Sequence, residues 1–236
     1  MFFLFIIRFD IDKKTGRVFT ISLEPSRQLD RELVDVYFMS VDAVDGAGMR
    51  TTVQLQIKLN DLNDNIPQFI VNNNNPARFT VATSLGLNES SSEKFLLGYI
   101  EENSDNSKWI EIVRLQAYDR DAEVPNSQTE FEILGSEFNN RFIDFFELEK
   151  ESMGLARLKL VNNKTLDYEQ IIALKVSNKN RGINDMSKVI RPFSSIRLNP
   201  GEIDLDLYLK VRDLGHPTLF STITAKIIIK DVNDNP

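Results

Sequence analysis

An all-β fold, arranged as β-sandwich modules in tandem, is predicted by three observations. The chain breaks into short runs rich in β-branched and aromatic residues, with turn residues between them. No long segment carries a convincing 3.6-residue apolar period. One acidic pentad occurs twice, as Asp61-Leu-Asn-Asp-Asn65 and Asp231-Val-Asn-Asp-Asn235. Each copy ends a β-like run and meets a proline, Pro67 or Pro236. Such a repeat marks tandem modules rather than one enzyme core.

The elements follow in order. Met1 to Ile7 is an apolar run stopped by Arg8. It is far short of the ~20 residues that span a bilayer. It also lacks the basic start and small-residue cleavage site of a signal peptide. It is read as a buried strand of a module whose beginning is missing. Val34 to Val41 and Thr52 to Leu59 are strands, with Gly46-Ala-Gly48 as the turn between them. The same arrangement returns as Asp206 to Val211, the turn Gly215-His-Pro217, and Ser221 to Lys230. Each pair runs directly into its pentad. Residues 1–65 are therefore the C-terminal part of one module and 66–236 a complete second one. The second is long for a sandwich of ~100 residues. Two polar stretches, about 72–95 and 177–204, account for the excess as surface-loop insertions, which cost little entropy.

Composition narrows the function classes. Hydrophobic content of 42% with 16 Phe is ample for a packed core. Net charge is −7, from 28 basic and 35 acidic residues, with no basic stripe to replace the counterions of a nucleic acid. The chain has no cysteine, which excludes disulfide scaffolds, thiolate zinc sites and thiol catalysis. Two acceptor sequons, Asn88-Glu-Ser90 and Asn163-Lys-Thr165, would be used only in a secretory setting.

The acids are grouped. Asp30 and Glu32, Asp119 and Asp121, and Asp167 and Glu169 are pairs two residues apart. In an extended chain such pairs share a face, so their oxygens can converge on one ion. Asp45 and Asp213 occupy equivalent places before the last strand of each module. So many hard oxygen donors in five-residue pentads oppose folding unless a cation neutralises them. Ca²⁺, which takes 6–8 oxygens from carboxylates, amides and carbonyls, suits them. Mg²⁺ fits less well, because it demands near-octahedral geometry and keeps its waters. A carboxylate-pair hydrolase is the enzyme alternative. No nucleophile elbow or phosphate loop supports it, and the single histidine, His216, sits in a Gly-His-Pro turn.

The ordered set of motifs resembles the cadherin superfamily. Leu29-Asp30-Arg31-Glu32 and Leu166-Asp167-Tyr168-Glu169 look like its LDRE and LDYE motifs. The two pentads match its DxNDN linker, and Asp119-Arg-Asp121 its DxD. Glu102-Asn103 resembles the early PEN motif, with Glu101 where proline is usual. The resemblance implies Greek-key, immunoglobulin-like sandwiches of seven strands, with three Ca²⁺ ions at each junction. It implies a first junction of Asp30, Glu32, Asp61, Leu62, Asn63, Asp64, Asn65, Asp119, Asp121, Asn126 and Asp213. It implies an incomplete second one of Glu102, Asp167, Glu169, Asp231, Val232, Asn233, Asp234 and Asn235. Trp109 is internal, so the partner-inserting role of an N-terminal tryptophan is not carried over, and it is read as a packed or partly exposed strand residue. The expected function is calcium-dependent cell–cell adhesion by the extracellular portion of a plasma-membrane protein. The partner would be cadherin repeats of the same or a related protein on an adjacent cell. A non-adhesive, calcium-stiffened spacer is the alternative.

Overall fold

The computed structural model describes residues 8–21, 28–70, 95–104, 111–179 and 198–232. They fall into two compact units, Met1–Leu62 and Asn63–Pro236. The division comes after Leu62 rather than after residue 65. The reason is chemical: the amides of Asn63 and Asn65 donate to Asp213 and Asp121, which ties that end of the pentad to the second unit.

Among the described residues the first unit has two antiparallel hairpins. β1 (Phe9–Ile11) pairs with β2 (Val18–Thr20). Between them Asp12 Oδ1 accepts the Lys14 amide at 2.8 Å, and Gly16 takes the left-handed conformation, φ +70°, that closes the turn. β3 (Val36–Val44) pairs with β4 (Arg50–Lys58) over its whole length, from Val36 opposite Lys58 to Val44 opposite Arg50. Alternation sets one face, with Tyr37, Met39, Val41, Leu55 and Ile57, toward the unit interior and leaves the other, with Phe38, exposed. The rings of Phe9 and Tyr37 meet edge to face, 5.2 Å apart, and so join the two hairpins.

The second unit is a sandwich of two four-stranded sheets. Its strands are β5 (Gln68–Phe69), β6 (Phe95–Glu101), β7 (Glu111–Tyr118), β8 (Thr129–Ser136), β9 (Phe146–Ser152), β10 (Leu155–Leu160), β11 (Glu202–Asp213) and β12 (Phe220–Lys230). One sheet has the order β5-β7-β10-β9 and the other β6-β12-β11-β8. β6 runs parallel to β12, while the other pairs are antiparallel. The described strands number eight rather than seven, because β5 and β6 join the edges of opposite sheets.

Period-2 alternation builds the core. Along β11, Ile203, Leu205, Leu207, Leu209 and Val211 point inward and are buried, and they alternate with Asp204, Asp206, Tyr208, Lys210 and Arg212. Ala225, Ile227 and Ile229 of β12, Leu115 of β7 and Leu158 of β10 meet Ile203, Leu205, Leu207 and Leu209 in one cluster. Truncating any of the fully buried leucines to alanine costs about 2–5 kcal/mol.

Two features depart from the sequence expectation. A helix, α2 (Tyr168–Lys179), begins within the LDYE motif and takes in the first residues of the proposed 177–204 insertion. Asp167 starts it, its Oδ1 accepting the Gln170 amide at 2.7 Å. Ile171 plugs the helix into the core. At the far end of that stretch 202–204 already belong to β11, and residue 95 of the first stretch opens β6. Residues 72–94 and 180–197 of these stretches lie outside the described residues, as do Met1 to Ile7, Trp109 and Asn88.

The second departure is on the outer face of the β6-β12-β11-β8 sheet. Phe95, Leu97 and Ile228 are buried there, with Leu198 packed on them. Beside them lies a charged group drawn from four elements, the short helix α1 (Glu137–Asn140) among them. Lys175 of α2 donates to Asp204 at 2.7 Å and pairs with Glu137 at 3.4 Å; Lys226 donates to Asp206 at 2.7 Å. Burial by itself would lower the Lys226 ammonium, but its hydrogen bond to Asp206 and the charges of Asp206, Asp204 and Glu137 outweigh it and raise the group above its ordinary 10.5. Burial also holds the Glu137 carboxyl above its ordinary 4.5, against the pull of Lys175.

A carboxyl raised in this way binds its proton more tightly folded than unfolded. Its contribution to stability is complete below the unfolded value and is lost as pH rises through the folded one. Glu137→Gln keeps an oxygen for the Asp206 amide and stays neutral. Thermal melts should find it equal to or more stable than the parent at about pH 7, with the difference closing at about pH 4, below the unfolded carboxyl value.

Candidate metal centres

Each acidic pair is held by its own backbone. Asp30 Oδ1 accepts the amides of Glu32 at 3.0 Å and Leu33 at 3.2 Å. Asp119 Oδ1 accepts the Asp121 amide at 2.9 Å. These are Asx turns, in which a short carboxylate bonds the backbone two residues on. The extended geometry expected of the pairs is therefore corrected: the chain turns at each, and the first acid of the pair sets the turn. Asp167 and Glu169 depart further, since one caps α2 and the other lies in its first turn.

In the first unit, Arg31 Nε lies 3.9 Å from Asp61 Oδ1, so the acid that opens the pentad faces a base of the LDRE motif. Asp45 organises the β3–β4 turn, its Oδ1 accepting the amides of Ala47 and Met49, both at 2.9 Å. The Leu62 side chain is exposed.

In the second unit, oxygens of Asp64 and Asp121 lie within 4.8 Å of each other. Asn65 Nδ2 joins them, donating to Asp64 at 2.9 Å and to Asp121 at 2.6 Å. Asn63 Nδ2 donates to Asp213 Oδ2 at 3.0 Å and to the Pro217 carbonyl. Asp213, at the end of β11, is fully buried and further accepts the amides of Gly215 and Leu219, each at 3.0 Å. Asp119 and Asp121 are buried as well. The asparagine amides thus supply positive dipole to a cluster of acids. Asn63 Oδ1 is buried and accepts no hydrogen bond among the described residues. A buried oxygen of this kind, within an all-oxygen donor set, fits a hard cation such as Ca²⁺.

The sequence marks Gly215 only as a turn residue, but two candidate ligands pack against it. A Cβ there would lie 2.3 Å from Asn63 Cγ and Oδ1 and 2.7 Å from Asn126 Oδ1. The same contact puts Asn126, on the turn before β8, beside Asn63. Gly215→Ala should displace both asparagines and weaken Ca²⁺ binding while leaving the β11–β12 core in place. Calorimetric titration of the variant would read the first effect and a thermal melt in chelator the second. His216, next along, is exposed, as a turn residue should be.

The second cluster lies at the other end of the same unit. Glu102, Glu169 and Asp231 offer oxygens all within 4.8 Å of one another. Glu102, only 2% exposed, is the anchor: Oε2 accepts the Tyr168 amide and Oε1 the Val232 amide, each at 2.8 Å. It therefore ties the start of α2 to the start of the second pentad. Burial, followed by the charges of Asp231, Glu169 and Glu102, pushes the Tyr168 phenol above its ordinary 10.0. Asp167 is not one of the three, being used as the helix cap, and Asn233, Asp234 and Asn235 lie outside the described residues.

No protein-family model matches the chain. It is 27% identical over 232 residues to Cadherin-23 of Rattus norvegicus, an alignment covering 97% of this chain. It is 32% identical over 167 residues, 69% of its length, to Desmocollin-2 of Mus musculus. Protocadherin Gamma B2 extracellular cadherin domains 3-6 superimpose with a TM-score of 0.57 at 23% identity, over 96% of this chain and 37% of that one. This chain belongs to the cadherin superfamily. Human CDH23 EC21-23 has the same fold, with a TM-score of 0.56 at 19% identity over 97% of this chain and 52% of that one. The repeats described here span 5% of the length of Cadherin-23 and 15% of that of Desmocollin-2.

Proposed function

We propose that this chain is part of the extracellular portion of a plasma-membrane cadherin that mediates calcium-dependent cell–cell adhesion. Its partner would be cadherin repeats of the same or a related protein on an adjacent cell. The observation that carries the reading is the convergence of Asp64 and Asp121, together with the buried, unsatisfied Oδ1 of Asn63 in the same pentad.

The mechanism is electrostatic. Asp30, Glu32, Asp61, Asp64, Asp119, Asp121 and Asp213 bring seven negative charges to the linker region and the module ends flanking it. Two carboxylates ~4 Å apart repel by about 4 kcal/mol at an effective dielectric of 20. Asn63 and Asn65 offset part of this through their amide dipoles, and Arg31 does so through its charge. Bound Ca²⁺ would supply the remaining positive charge and, through ligands drawn from both modules, a fixed angle between them. Extracellular sites of this class bind at about 10⁻⁴–10⁻³ M, which suits a calcium-rich exterior. Glu102, Glu169 and Asp231, with Val232 and the rest of the second pentad, would hold ions shared with a following repeat. The family relationship leaves a catalytic reading without support.

The second reading is a non-adhesive, calcium-stiffened spacer in a large membrane receptor or extracellular filament, which the same acid clusters would serve. Beads coated with the protein distinguish the two. Aggregation that requires Ca²⁺ at about 10⁻³ M supports adhesion. Beads that stay dispersed while the protein still gains calcium-dependent heat resistance support the spacer.

A further inference from the structure

The Asn163-Lys-Thr165 triplet is not used by any metal cluster or by the core, yet the fold presents it in a defined way. It occupies the turn between β10 and α2, closed by the Lys164 amide donating to the Val161 carbonyl at 3.1 Å. Asn163 has φ +64°, a left-handed conformation that asparagine tolerates better than other side chains. Asn163, Lys164 and Thr165 are all exposed, while Leu160 before them and Leu166 after them are buried. The Leu166 carbonyl accepts the Asn103 amide at 3.2 Å, which pins the downstream end of the turn. Lys164 sets its ammonium over the Phe145 ring at 5.0 Å from the centroid. The acceptor amide is thus held outward on a turn anchored at both ends. Among the described residues it makes no hydrogen bond that a substituent on Nδ2 would break.

We propose that Asn163 is an N-glycosylation site, a reading that rests on the extracellular location proposed above. The reaction joins Asn163 Nδ2 to the anomeric carbon of an oligosaccharide carried on a lipid pyrophosphate. The bond from that carbon to the pyrophosphate oxygen breaks, its electron pair leaves with the phosphate, and one amide proton is released. The Thr165 hydroxyl is the recognition element of the triplet, and it too is open to solvent. Since the turn lies outside the Glu102–Glu169–Asp231 cluster, the sugar would mask the neighbouring surface without supplying a ligand to it.

Asparagine also suits a positive-φ turn for purely conformational reasons, so the test must separate that role from the chemical one. The chain is directed into the secretory pathway of mammalian cells. The secreted protein is weighed by mass spectrometry before and after enzymatic removal of N-glycans, alongside N163Q, T165A, T165S and N88Q. The expected result is loss of one glycan in N163Q and in T165A, which keeps the turn asparagine. T165S retains the glycan, N88Q retains the one on Asn163, and the calcium-dependent rise in melting temperature is unchanged throughout. Secreted protein that loses the same mass on removal of N-glycans in N163Q, T165A and the parent overturns the site while leaving the extracellular reading intact. Protein that reaches the medium but gains no heat resistance from calcium overturns the calcium reading instead, whatever its glycans.

Discussion

Asp121→Asn should abolish most of the calcium-dependent rise in melting temperature, and Asp64→Asn should do the same. Both substitutions keep the shape of the side chain and an oxygen for the Asn65 amide, which lies 2.9 Å from Asp64 and 2.6 Å from Asp121. What they remove is charge. A ligand at a hundred times its dissociation constant stabilises the folded state by ~2.7 kcal/mol for each site. For a domain of this size each kcal/mol moves the midpoint by roughly 2–4 °C, so the parent should gain about 5–10 °C per site. In chelator the order reverses: each variant, relieved of one repulsive charge, should melt at or above the parent. This crossing of the two curves is the signature of an ion-bridged acid. A variant that is simply misfolded would be the less stable protein in both conditions.

Asp213→Ala should behave differently and should be the most damaging single change at the site. Asp213 is 0% exposed, and its two oxygens take the amides of Gly215 and Leu219 and the side chain of Asn63. Removing it leaves the Gly215 and Leu219 amides without an acceptor and Asn63 Nδ2 with the Pro217 carbonyl alone, each unpaired N–H costing about 1–3 kcal/mol when it stays buried. Allowing for relaxation of the 214–219 turn toward water, a loss of about 3–5 kcal/mol is expected even in chelator. Urea unfolding of the second unit would measure it. Asp213 is then a structural acid first and a ligand second, whereas Asp121 is mainly a charge awaiting an ion. The sequence treats the two alike; their hydrogen-bond partners separate them.

That contrast marks how far the sequence can be read. The β11–β12 hairpin is legible because Leu205, Leu207, Leu209 and Val211 alternate with polar residues and lead straight into the pentad. The β3–β4 hairpin is legible for the same reason, with its Gly46-Ala-Gly48 turn. Helix α2 is harder to find, because its apolar residues do not form one stripe: Ile171 is buried, while Ile172 and Val176 are exposed. Its start does carry a signal, Asp167 followed three residues later by Gln170, a capping pattern that overlaps the more obvious acidic pair. The unbroken apolar runs Phe95 to Leu97 and Ile227 to Ile229 likewise announce strands buried on both faces. The convergence of Glu102 with Glu169 and Asp231 has no local signal at all. It depends on β6 lying parallel to β12, a pairing between segments more than a hundred residues apart.

The central claim, that these carboxylates are arranged for calcium, is tested most directly by isothermal titration of the chelated protein with Ca²⁺ and, separately, with Mg²⁺. Saturable binding of Ca²⁺ at about 10⁻⁴–10⁻³ M, with Mg²⁺ unable to replace it, is the predicted result. Heats no larger than those of dilution, up to roughly ten times that concentration range, would contradict it.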